Sequence, residues 1–167
     1  MKIFSMKSTG LYLLLFFSGR AVAQIQLDSV LLKPLKGPNA SFSSFTQKDS
    51  IVLICFWSSG SEASINALNA INTKFENWKQ LVGFKMMAVC VDEGKDVGRV
   101  RPMVNAYGWI FDVYIDINGD LRKTLKSVSL PQSIILYKGQ VLYQQSGFES
   151  GSEDYLIKRI QAIILHR

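Results

Sequence analysis

A chain of 167 residues with 48% hydrophobic content is long enough to bury one core and too short for two comfortable domains. Its formal charge of +6 does not mark a nucleic-acid binder. The bases, among them Lys33, Lys36, Lys48, Lys74, Arg99, Arg101, Arg122 and Lys158, are scattered and do not interleave with aromatics on one predicted element.

At the N-terminus Lys2 and Lys7 precede the apolar run Leu11-Tyr12-Leu13-Leu14-Leu15-Phe16-Phe17, and Ala21-Val22-Ala23 follows. This is the three-part layout of a secretory signal peptide cleaved after Ala23. The run is too short to cross a bilayer, which needs about 20 apolar residues, so no integral membrane segment is expected in the mature chain. Cleavage removes three bases and no acid, lowering the formal charge to +3, so the basic balance belongs partly to the targeting segment. No cysteine follows the Ala-Val-Ala box to accept a lipid. Residues 24–167 are expected to form a single domain.

Asp28 to Leu32 and Ala40-Ser41-Phe42, separated by Lys36-Gly37-Pro38-Asn39, predict a short hairpin on one edge of the domain. The unbroken apolar run Ile51 to Trp57 predicts a central strand buried on both faces. Ile65, Leu68, Ile71, Phe75 and Trp78 then fall on one helical face, with Asn66, Asn69, Asn72 and Glu76 on the other. Ser59 and Glu62, three apart, have the spacing of a reciprocal cap at the start of that helix.

Phe84 to Val91, ending at Asp92, predicts a second strand parallel to the first. A helix is expected from about Lys95 to Tyr107, with Pro102 in its first turns or kinking it. A short strand Asp112 to Asp116, a turn at Ile117 to Asp120 and one or two helical turns from Leu121 to Lys126 follow. Ser133 to Tyr137 and Gln140 to Gln144 flank Lys138-Gly139 as an antiparallel hairpin. Ser152 to Leu165 closes the chain as an amphipathic helix.

This order, together with Phe56-Trp57, Val91-Asp92-Glu93, Asp116 to Asp120, Leu130-Pro131, the Lys138-Gly139 turn and Gly147, resembles the exported thioredoxin-like proteins of the TlpA/ResA type over essentially all of residues 24–167. The resemblance implies an α/β thioredoxin-like fold, a mixed central sheet flanked by helices with an N-terminal β-hairpin, and a cis-proline loop at Leu130-Pro131 facing a helix N-terminus. It also implies thiol–disulfide oxidoreductase activity and a periplasmic or cell-envelope location.

The chain departs from that pattern at the reactive site. Family members carry Trp-Cys-x-x-Cys, and the matching positions here are Gly60, Ser61, Glu62, Ala63 and Ser64. A thiolate at a helix N-terminus is stabilised by unpaired N–H groups and attacks disulfides, whereas a serine hydroxyl without a partnered base stays protonated and cannot form a disulfide. Ser61 as a hydrolase nucleophile is disfavoured, because the single histidine, His166, is the penultimate residue. Cys55 and Cys90 fall inside predicted neighbouring strands and are expected to be free, buried thiols, too few with one distant histidine for a metal site.

The reading preferred from sequence is a redox-inactive binding protein with no cofactor, whose Trp57, Ser59, Glu62, Leu130 and Pro131 border a shallow groove for an extended or unfolded polypeptide or an envelope protein. Two alternatives stay open: disulfide or peroxide chemistry through Cys55 or Cys90, and serines introduced in place of native cysteines.

Overall fold

The computed structural model describes residues 27, 29–47 and 49–166, so the expected signal peptide lies outside the described residues. One mixed sheet of seven strands runs in the order β2-β1-β5-β4-β3-β6-β7. Its members are β1 (Leu31–Pro34), β2 (Ala40–Ser41), β3 (Ile51–Trp57), β4 (Lys85–Cys90), β5 (Asp112–Ile115), β6 (Gln132–Tyr137) and β7 (Gln140–Ser146). The helices are α1 (Glu62–Leu81), α2 (Val97–Tyr107), α3 (Asp120–Thr124) and α4 (Glu153–Leu165).

Every residue of β3 is buried, as its unbroken apolar run requires. It pairs parallel with β4 and antiparallel with β6. The middle position of the sheet belongs to β4 rather than to β3, because the N-terminal hairpin adds β1 and β2 beyond β5.

Alternate residues of β3 enter two cores, as the period of a strand dictates. Ile51, Leu53, Cys55 and Trp57 pack with Leu68, Ile71, Phe75 and Trp78 of α1, Val100 of α2, and Leu156, Ile157 and Ile160 of α4. Val52, Ile54 and Phe56 pack on the other face with Leu121 and Leu125 around α3 and with Leu27, Val30, Leu32 and Phe42. Three helices therefore cover one face, and the short α3 with the N-terminal segment covers the other.

Pro102 lies inside α2 without ending it; the helix continues to Tyr107 and stops at Gly108, which adopts the left-handed conformation with φ 63°. Asn69 and Asn72, expected on the solvated side of α1, instead hold the loop after α2. Asn69 Oδ1 accepts from Trp109 Nε1 at 2.8 Å, and Asn72 Oδ1 accepts from the Ile110 N–H at 3.0 Å. That clasp fixes the Trp109 ring edge-on to Trp57, 4.9 Å between centroids.

Among the described residues no helix is long and apolar enough to cross a membrane.

Candidate functional site

The directions of the strands gather one set of loops at one end of the sheet. β3, β4 and β5 are parallel, and β6 runs against β3 with Gln132 opposite Phe56. The turn after β3, Asp92 after β4, Asp116 and Ile117 after β5, and Leu130-Pro131 before β6 therefore share that end. The Leu130–Pro131 peptide is cis, and the Pro131 carbonyl accepts from the Gly147 N–H at 2.8 Å.

Between Trp57 and α1 the chain makes a tight turn in which the Ser61 N–H donates to the Ser58 carbonyl at 3.1 Å and the Gly60 N–H to Ser58 Oγ at 3.2 Å. Ser61, and not Ser59, is the N-cap of α1. Ser58 to Ser61 form the tight turn and the Ser59 N–H is held by Asp92, so α1 starts after Ser61 and the three-residue spacing of a capping serine is used by Ser61 and Ser64. Ser61 Oγ accepts from the Ser64 N–H at 3.2 Å and from Ser64 Oγ at 2.9 Å. The two positions that matched the reactive cysteines are thus in contact, as a closed hydroxyl pair. Ser64 is fully buried and Ser61 is half-buried.

Behind the turn, Asp92 is 7% exposed and its carboxylate accepts the Ser59 N–H through both oxygens, at 3.2 and 3.0 Å. Burial opposes its ionisation, but hydrogen bonding from Ser58, Ser59 and Cys90 outweighs that and holds its carboxyl below the usual carboxylate range. Asp92 locks the turn that presents Ser61. Asp116, buried just after β5, is occupied at the start of α3, accepting from the Leu121 and Arg122 N–H groups at 3.2 and 2.8 Å.

Three of the residues expected to border a groove, Trp57, Ser59 and Pro131, are buried. Trp57 is fully buried, because the seventh residue of β3 points into the core against Trp109; it supports the turn from beneath. Ser59 is buried, drawn inward by its bond to Asp92. Glu62 is exposed on the first turn of α1, Leu130 is half-buried, and Pro131 is buried. The outer surface at this end is made instead by Gly60, Glu62 and Ala63, by Leu130, and by two apolar side chains that sequence reasoning passed over: Val128 is 82% exposed and Ile117 51%. Both sit in loops whose composition carries no burial signal, so only the strand order assigns them to this end.

The cysteines lie within the sheet. Cys55 is 3% exposed and Cys90 fully buried, and both are free thiols. In the β3/β4 register Cys55 faces Ala88 while Cys90 faces Trp57, so they are offset along the strands. Burial pushes both thiols up to about 12, against small opposing hydrogen bonds from Ser133 to Cys55 and from backbone groups of Asp92 and Ser59 to Cys90. A thiol held protonated in this way is a poor nucleophile. His166 lies at the end of α4 beside Tyr137 and Tyr143, near the opposite end of the sheet from Ser61, since Tyr137 pairs with the first residue of β3. Ser61 therefore has no imidazole base. Among the described residues no group of three His, Cys, Asp or Glu side chains is placed to hold a metal ion.

The overall fold recurs in solved structures. An uncharacterized thioredoxin-like protein from Porphyromonas gingivalis superposes with a TM-score of 0.70 at 27% identity, over 83% of this chain and 91% of that one. The fold is thioredoxin-like. StoA from Bacillus subtilis shares it at a TM-score of 0.63 and 17% identity, covering 77% of this chain and 94% of that one. A secreted Mycobacterium tuberculosis disulfide oxidoreductase shares it at 0.64 and 15%, covering 79% and 94%. No family model and no curated protein sequence matches the chain. The thioredoxin-like fold supplies the setting for the site; what the site does rests on the residues this chain places there.

Proposed function

We propose that this protein is a redox-inactive thioredoxin-fold binding protein of the bacterial cell envelope, exported by residues 1–23 and acting through residues 24–167 as one domain. Its ligand on this reading is an extended or unfolded polypeptide, held at the surface formed by Gly60, Glu62, Ala63, Val128 and Leu130. The observation that carries the reading is the 2.9 Å hydrogen bond between Ser64 and Ser61. Hydroxyls stand where disulfide exchange needs a thiolate and a resolving thiol, and the Ser64 hydroxyl is spent donating to Ser61. The apolar exposure of Val128 and Ile117 at the same end supports a binding surface for side chains of an unfolded client. Export of the solved relative described as secreted, the M. tuberculosis oxidoreductase, supports the location.

The test uses reduced, carboxymethylated α-lactalbumin as an unfolded probe and insulin as a disulfide substrate. The reading expects saturable binding of the probe and no acceleration of insulin reduction by dithiothreitol. Turnover of insulin would transfer the function to the alternative, an oxidoreductase working through Cys55 or Cys90, and absence of probe binding would remove the polypeptide-binding assignment.

A further inference from the structure

We propose that the outer face of α4, with the groove that separates it from β7, is a docking surface for an anionic lipid bilayer. The inner side of α4 is spent on the core, where Leu156, Ile157 and Ile160 are buried. On the other side Tyr155, Lys158, Arg159, Ala162, Leu165 and His166 recur at spacings of three and four, and all six are exposed. Tyr155 is 61% exposed and Leu165 82%.

That stripe mixes apolar and basic side chains and holds no acid. The acids of α4 are confined to its first turn, where Lys74 Nζ lies 2.8 Å from Glu153 and 2.7 Å from Asp154. Past Asp154 the helix carries Lys158 and Arg159 and no carboxylate, and β7 has none either. Among the described residues neither cation forms an ion pair. Each is laid over a tyrosine instead: Lys158 Nζ is 5.6 Å from the Tyr155 ring centroid, and the Arg159 guanidinium is 5.1 Å from that of Tyr143. Both positive charges are therefore left for an outside partner and are held beside apolar surface.

The groove between α4 and β7, about 370 Å³, has the same mixed character. Leu142, Tyr143 and Ile163 line it together with Arg159 and His166. Tyr137, also on its wall, donates to Asp49 Oδ1 at 3.3 Å, and Lys138 Nζ lies 2.9 Å from the same oxygen, so that carboxylate is neutralised within the chain.

The mixture of charge and apolar surface selects the occupant. A soluble polyanion would use Lys158 and Arg159 and leave Tyr155, Leu142 and Leu165 in water. A bilayer with anionic headgroups takes both: its surface potential attracts the cations, and the apolar side chains between them enter the headgroup layer. Tyrosine and arginine carry an apolar body and a polar tip, which suits that boundary. A neutral bilayer would leave the cations unpaired, so the surface discriminates by lipid charge.

Vesicle co-sedimentation tests this on the exported chain, purified without residues 1–23 so that their apolar run cannot supply lipid binding. No polypeptide probe is present, so failure here and failure of polypeptide binding at the Ser61 turn are separate results. The wild type is expected to bind vesicles of phosphatidylcholine with an equal share of phosphatidylglycerol, to release them as salt rises, and to ignore phosphatidylcholine alone. Lys158→Glu/Arg159→Glu should lower the partition coefficient at least about tenfold. Leu165→Ser, which leaves the charge unchanged, should lower it about threefold. Circular dichroism should report an unchanged fold for both variants. Absence of binding to the anionic vesicles overturns the proposal, as does equal binding to the neutral ones or binding that survives the double substitution. Binding that Leu165→Ser leaves intact, with soluble polyglutamate held as tightly as the vesicles, would make the face a polyanion site and overturns it as well.

Discussion

The Ser64 hydroxyl donates to Ser61 Oγ across 2.9 Å, and the Ser64 N–H donates to the same oxygen at 3.2 Å. One side chain therefore caps α1 and satisfies a fully buried hydroxyl at once. Ser61→Ala should lower stability by about 1 kcal/mol or somewhat more, since it removes the N-cap and leaves Ser64 without its acceptor. Ser61→Asp, which keeps an acceptor at the cap, should lose less. Urea unfolding of the three proteins measures the difference, and equal midpoints for the wild type and Ser61→Ala would show that the pair contributes nothing to the fold.

Restoring sulfur should restore chemistry if the scaffold is otherwise intact. In Ser61→Cys/Ser64→Cys the first thiol would sit at the start of a 20-residue helix, where unpaired N–H groups lower its pKa, and the second directly behind it. The double variant should gain insulin reduction over the wild type and form a 61–64 disulfide on oxidation, detectable by mass spectrometry. Each single variant should lack the second step.

Cys55 and Cys90 should behave oppositely to those introduced thiols. With both groups pushed up to about 12 by burial, they stay protonated at pH 8, where a free cysteine is substantially ionised. Iodoacetamide should modify neither in the native protein and both in concentrated urea. Rapid native labelling of either would favour the oxidoreductase alternative.

The same residues mark what the sequence discloses and what it conceals. β3 is legible to its last residue because a strand buried on both faces leaves an unbroken apolar run, and the hairpin of β6 and β7 is legible because Lys138-Gly139 is a two-residue turn. Trp57, expected at the rim of a groove, is buried, and the sequence hides this because in a run without alternation nothing tells the inward end of a strand from its outlet. The cap lies at Ser61 rather than Ser59: Ser58, Ser59, Ser61 and Ser64 are all capping residues, and only the turn fixed by the bond of the Ser59 N–H to Asp92 selects among them. Asp92 was legible as a strand terminus but not as the acceptor of the Ser59 N–H, a contact 33 residues apart in the chain.

That contact makes Asp92 a source of acid sensitivity. Its folded pKa lies below the ordinary 3.8, so its contribution to stability is complete above the unfolded value and is lost as pH falls through the folded one. Asp92→Asn should reduce stability at pH 7 and flatten its decline in the acid range below the unfolded pKa. Thermal unfolding from pH 7 to pH 2 tests this, and parallel curves for wild type and variant would remove Asp92 from the acid response.

The binding surface makes its own demand. Val128 is 82% exposed, so replacing it costs the fold little, and an effect on client binding would report contact. Val128→Glu should weaken binding of carboxymethylated α-lactalbumin several-fold, since it puts a charge against an apolar segment and against an acidic probe. Val128→Lys separates the two causes: if apolar contact dominates it also weakens binding, and if charge dominates it strengthens it. Leu165, equally exposed at 82% but at the far end of α4, is the control whose Glu substitution should leave binding unchanged. Equal losses from Val128→Glu and Leu165→Glu would mean the probe adheres to the protein at large, and the site would have to be sought away from Ser61.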